Sequence, residues 1–174
     1  MDDKLFAMIP RRKSFHTFNS EMHLSADELA AVESRIGELI PLEPSIQTAI
    51  RIVAREETNC KTGEYCVLFY SESKEYALYN AGYMLEQLDL WLVSQNIGTC
   101  WYGMSRPKQK TYQGLPFVIM LVTKVSYYNR IDIGIFLLFL TLSLREKNLA
   151  FDIKLLSDAS EGQENHIARI EIRR

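Results

Sequence analysis

Arg12, Ser14 and His16 occupy every second position of the stretch RRKSFHTF, residues 11–18, and Phe18 continues the spacing. In an extended segment, side chains two residues apart point to the same side, so one edge of this stretch presents a guanidinium, a hydroxyl and an imidazole. A guanidinium fork makes paired, charge-assisted hydrogen bonds to a phosphate, and a serine adds a further donor, so the pattern suits a phosphate-bearing ligand. Short basic clusters are also common on solvated loops, and the octapeptide alone leaves that reading open. A second stretch with chemical potential is NIGTCWYGM, residues 96–104, which contains Cys100, Trp101, Tyr102 and Gly103. Aromatics beside a glycine let backbone come close to a flat ligand while side chains cover its face, although a strand entry that merely buries Trp101 uses the same residues. Cys100 has no Cys-His-acid pattern around it and reads as a small buried residue rather than a nucleophile.

The elements that must hold these residues belong to a chain of 174 residues, 47% hydrophobic and with a formal net charge of -2, enough for one globular domain with a sizeable core. With 20 Lys and Arg against 22 Asp and Glu there is no global basic field, so nucleic acid is not an expected partner. Residues Met1 to Lys4 lack the apolar core of a signal peptide, and the three cysteines, Cys60, Cys66 and Cys100, show no CxxC spacing. A reduced, cytoplasmic protein without a metal site is expected.

Ser25 with Glu28 three residues later forms a capping box, and Leu29, Val32, Ile36 and Leu39 recur at helical spacing, which predicts a helix over 26–40. The runs IQTAIRIVA (46–54) and EYCVLFYS (64–71) predict two strands, joined through a polar loop that contains Gly63. Residues 73–96 predict the longest helix, stopped by Gly98, and FVIMLVTKV (117–125) predicts a strand buried on both faces. Helices and strands mixed in this way suggest an α+β layered fold. Beyond Val125 the character changes. Residues 133–144 carry no charge but are too short for a bilayer span of about 20 residues, and the tail that follows has no clear period.

Taken together, the Arg-x-Ser motif near the N-terminus and a long helix ending in GTCWYG resemble the FMN-dependent nitroreductases, in particular the variant called "Putative TM nitroreductase", whose letters do not mean transmembrane. The resemblance spans about residues 4–125, and NAGYMLEQLDLWLVSQNIGTCWYGM is its most specific part. It implies a nitroreductase-like α+β fold, with a central, mainly antiparallel sheet flanked by helices and incomplete at the C-terminus. Residues 1–125 would form the nitroreductase-like part and 126–174 a divergent segment of the same domain. By the same resemblance Arg12 and Ser14 bind the FMN phosphate and ribityl chain. His16 stands where the family usually has Lys or Arg, and the backbone at Trp101, Tyr102 and Gly103 lies against the isoalloxazine ring. No catalytic side chain is required.

NAD(P)H as reductant, a nitroaromatic, quinone or similar small molecule as electron acceptor, and a homodimer without membrane contact are the implied partners. The family's Asn- and Pro-containing loop of the APSxxNxQPW type is nowhere in this chain. Its absence, with the change after Val125, suggests a shifted reading frame or a shortened gene. Two other readings stay open: a relative without flavin that serves as a binding or dimerisation module, and a membrane-associated protein using residues 133–144 as an interfacial segment.

Overall fold

Helix α2, Ala77–Ser94, has apolar side chains on both of its long faces, and the rest of the fold packs around it. On one side Ala81, Met84, Leu88 and Leu92 meet Val32, Leu39 and Phe69. On the other, Tyr83 and Leu90 meet Leu5, Met8, Leu137, Leu138 and Leu142. The computed structural model describes residues 3–15, 18–19, 21–101, 106–118, 125–156 and 168–173.

The chain enters through a 3-10 helix, Asp3–Arg11, whose buried Leu5 and Met8 seat it against α2. Helix α1, Ala26–Ile36, opens with the expected capping box: the Glu28 N–H donates to the Ser25 hydroxyl at 3.2 Å, and the Ser25 N–H donates to the Glu28 carboxylate at 2.8 Å. It stops at Ile36 rather than at residue 40. Pro41 disfavours helical backbone at Ile40, and Leu39 is buried from a turn instead of from the helix. Strands β1, Thr48–Ala54, and β2, Tyr65–Ser71, pair antiparallel from Thr48 opposite Ser71 to Ala54 opposite Tyr65.

Helix α2 is also shorter than its predicted span, and Gly98 is not what ends it. Asn96 takes the left-handed conformation, with φ 61°. The Ile97 N–H donates to the Leu92 carbonyl at 2.9 Å and the Asn96 N–H to Val93 at 3.1 Å, which is a Schellman termination. Two polar residues on the buried surface of α2 tie down the preceding loop. Asn80 bonds both backbone groups of Glu43, and Gln87 bonds both backbone groups of Ile40.

After the short hairpin of β3, Thr111–Tyr112, and β4, Leu115–Pro116, the chain returns to β2, where the Val118 N–H donates to the Phe69 carbonyl at 3.2 Å. Of the strand predicted over 117–125, residues 119–124 lie outside the described residues, and Val125 already belongs to helix α3, Val125–Glu146. Strands β5, Ala150–Leu155, and β6, Ala168–Arg173, form a further antiparallel pair. The fold is therefore α+β, with its ladders antiparallel and arranged as three two-stranded sheets among the described residues.

The uncharged run of residues 133–144 lies within α3, which covers α2 and buries Leu137, Leu138 and Leu142. Among the described residues no helix is long and apolar enough to cross a membrane. The two helices touch through glycines. A Cβ on Gly134 would stand 2.3 Å from the Tyr79 carbonyl oxygen, and one on Gly82 would stand 2.2 Å from that of Ile131.

Candidate functional site

The 3-10 helix delivers Arg12 to the C-terminal half of α2, the Arg12 N–H donating to the Met8 carbonyl at 2.9 Å. The Arg12 Nε then donates to Asp89 Oδ2 at 2.9 Å and lies 3.8 Å from Glu86 Oε1. Glu86 and Asp89 are three residues apart, so they share one face of α2. The Trp101 indole N–H donates to the same Asp89 oxygen at 3.0 Å, and the Thr99 hydroxyl donates to the other. The segments 12–15 and 99–101 run side by side. Ser14 pairs with Thr99 in a parallel bridge, and the Phe15 N–H donates to the Thr99 carbonyl at 2.8 Å. Gly98 allows this approach, since a Cβ there would stand 3.2 Å from the Phe15 ring.

Of the sequence-predicted site residues, Arg12, Ser14 and Trp101 are thus brought to one corner, although 89 positions separate the first from the last. His16, Tyr102 and Gly103 lie outside the described residues. Cys100 sits in the same segment with its thiol pushed up, chiefly by burial, which leaves it protonated and suits a small packing residue. Sequence reasoning missed Asp89, Glu86 and Thr99. The available signal was the pair of acids, Glu86 and Asp89, inside an otherwise apolar helix, since charges in such a place need a partner.

The electrostatics of the corner are balanced against Arg12. Glu86 is only 1% exposed, and its Oε2 has no hydrogen-bond partner among the described residues. Burial, followed by the negative charge of Asp89, pushes its carboxyl up to about 7, with Arg12 and the Trp101 indole opposing. The folded protein therefore keeps a proton on Glu86 at pH values where the unfolded chain, with an ordinary value of 4.5, has released it. The linkage sign is fixed by that difference. This group's contribution falls as pH rises from about 4.5 to about 7 and levels off above. Glu86→Gln should flatten this decline, as thermal melts at pH 5, 7 and 8 would show; parallel pH profiles for the two proteins would contradict the assignment.

The donor set suits an anion. The Arg12 Nε is used on Asp89, but no residue of the described structure bonds its terminal nitrogens, and the exposed Ser14 and Lys13 stand next along the chain. An arginine held by a carboxylate is fixed in direction before a ligand arrives, which lowers the ordering cost of binding. These residues fit the phosphate end of a flavin mononucleotide. The cavity of about 250 Å³ lined by Leu42, Tyr83, Thr141, Arg145 and Phe151 contains none of them. Among the described residues no group of three or more His, Cys, Asp or Glu side chains could hold a metal ion.

In comparison with known proteins, a family model described as "Putative TM nitroreductase" matches residues 4–123, which include Arg12, Ser14, Glu86, Asp89 and Trp101. No curated protein and no solved structure matches the chain.

Proposed function

We propose, from the premise that this chain belongs to the family described as "Putative TM nitroreductase", that it is an FMN-dependent oxidoreductase passing electrons from NAD(P)H to a nitroaromatic, quinone or similar small acceptor. The observation that carries the reading is the convergence of Arg12, Thr99 and Trp101 on Asp89, with Ser14 paired to Thr99 beside them. Two stretches with chemical potential, far apart in the chain, share one corner whose donors, unpaired among the described residues, suit a phosphate.

In this reading Arg12 binds the phosphate through its terminal nitrogens, Ser14 adds a hydroxyl donor, and Lys13 adds positive charge from the exposed side. Asp89 is a positioning residue, holding the Arg12 guanidinium and the Trp101 indole through the same carboxylate oxygen. By the family resemblance Trp101, Tyr102 and Gly103 would contact the ring, and His16 would add to the basic cluster. FMN, when bound, supplies the two-electron chemistry, and the protein supplies its binding, orientation and electrostatics. The enzyme would act as a homodimer in the cytoplasm.

The purified protein should be yellow, or become so on mixing with FMN, with the absorption bands of oxidised flavin retained through gel filtration. A colourless protein after that treatment would favour the flavin-free binding module. Ser14→Ala should weaken FMN binding by about 0.5 to 1.5 kcal/mol, the net worth of a neutral hydroxyl bond. Fluorescence titration measures it, and a loss larger than that of Arg12→Ala would contradict the assigned roles.

A further inference from the structure

Glu86 has no part in the donor set just described, yet it is the most deeply buried carboxylate of the corner. Its Oε1 stands 3.8 Å from the Arg12 Nε, while Arg12 makes its closer contact with Asp89 at 2.9 Å. Its Oε2 is buried without a hydrogen-bond partner among the described residues. One guanidinium thus faces two carboxyl groups, and among the described residues the second is held neither by a full set of hydrogen bonds nor by a cation of its own. We infer that Glu86 is a regulatory residue that sets, through its proton, how strongly the Arg12 corner holds a phosphate dianion.

With Glu86 neutral, Arg12 and Asp89 cancel, and an incoming phosphate meets a balanced site of charge-assisted donors. With Glu86 ionised, the same corner carries one net negative charge behind Arg12 and repels the dianion. At an effective dielectric near 20, two unit charges about 7 Å apart interact strongly enough to change a binding constant by tenfold or more. Burial and the Asp89 charge place this proton exchange near neutrality, inside the range where such a device could operate. Among the described residues the groups that face Glu86 are Asp89 on the same helix, Arg12 at the end of the 3-10 helix, and the Trp101 indole. Coupling is reciprocal: if the Glu86 proton strengthens phosphate binding, bound phosphate must raise the affinity of Glu86 for its proton.

The inference rests on the FMN reading of the site, so the test separates the two. FMN is titrated by fluorescence quenching against the wild type and Glu86→Gln at pH 6, 7 and 8. The phosphate's own protonation near pH 6 is common to both proteins and cancels in the comparison. The substituted protein should bind FMN about tenfold more tightly than the wild type at pH 8, and the two should converge at pH 6. A second measurement follows the Glu86 carboxyl directly: in wild-type protein carrying 13C at the glutamate side-chain carboxyls, the resonance that disappears in Glu86→Gln should move to a higher midpoint when FMN is added. Wild-type protein that binds no FMN at any pH would overturn the site reading and this inference together. FMN binding with superimposable profiles for the two proteins, or an unmoved carboxyl midpoint, would overturn the role of Glu86 alone.

Discussion

Replacing Gly134 by alanine should cost about 3 kcal/mol or more of stability. A Cβ at this position would stand 2.3 Å from the Tyr79 carbonyl oxygen and 3.0 Å from the Tyr83 backbone nitrogen, so the obstacle is the backbone of α2 rather than a side chain that can rotate away. The helices must separate by roughly an ångström, which loosens the buried contacts of Leu137, Leu138 and Leu142 with Tyr83 and Leu90. Gly82→Ala should act the same way from the opposite helix, against the Ile131 carbonyl oxygen at 2.2 Å. Gly37→Ala is the internal control: its φ is -65°, and its closest contact is the Ser34 carbonyl oxygen at 3.3 Å, so its effect should stay within about 1 kcal/mol. Urea denaturation of the three variants checks the order. Gly134→Ala with wild-type stability would mean that α3 does not lie this close to α2.

Arg12→Ala carries the second large effect, and it should appear in two separate measurements. The Arg12 side chain is 24% exposed and faces Asp89, at 6%, and Glu86, at 1%. Its removal leaves one buried carboxylate, and above neutral pH two, without a cation. A fully buried pair broken in this way loses about 3 to 5 kcal/mol, and the partial exposure of Arg12 brings the expected loss to about 2 to 3 kcal/mol at pH 8. The loss should be smaller at pH 5, where Glu86 holds its proton. Arg12→Lys should recover part of it, because an ammonium restores the charge but not the planar fork. FMN affinity should drop by roughly ten- to a hundredfold, as expected when a charge-assisted bond is lost. Equal stability of Arg12→Ala and wild type at pH 8 would remove Arg12 from the acidic pair.

These effects show which parts of the molecule could be read in advance. The start of α1 was legible because capping is local chemistry, and Ser25 and Glu28 suffice to write it. Strands β1 and β2 were legible from composition, within two residues at their edges. Helix α3 was not, because its packing face uses small and polar residues, Gly134 and Thr141, among the leucines, and a search for apolar side chains at helical spacing passes over them. The tail hid a period of two. Phe151, Ile153 and Leu155 alternate with more exposed residues in β5, but the partner strand β6 begins only at Ala168, so no neighbouring repeat marks a hairpin.

For the candidate site, Arg12 and Ser14 declared themselves through residue type and spacing. Their partner did not, since Asp89 looks in sequence like one more polar position on a helix. Only the fold shows that Arg12, Thr99 and Trp101 all spend a hydrogen bond on it.

The account turns on the Arg12 corner holding the phosphate of FMN, and a paired titration with FMN and riboflavin at pH 7 tests this most directly. The two ligands share the ring and the ribityl chain and differ only in the phosphate. FMN should bind at least tenfold more tightly than riboflavin to the wild type, and Arg12→Ala should abolish most of that difference by weakening FMN alone. Equal affinities for the two ligands in the wild type would contradict the account, since the corner would then contribute nothing to phosphate recognition.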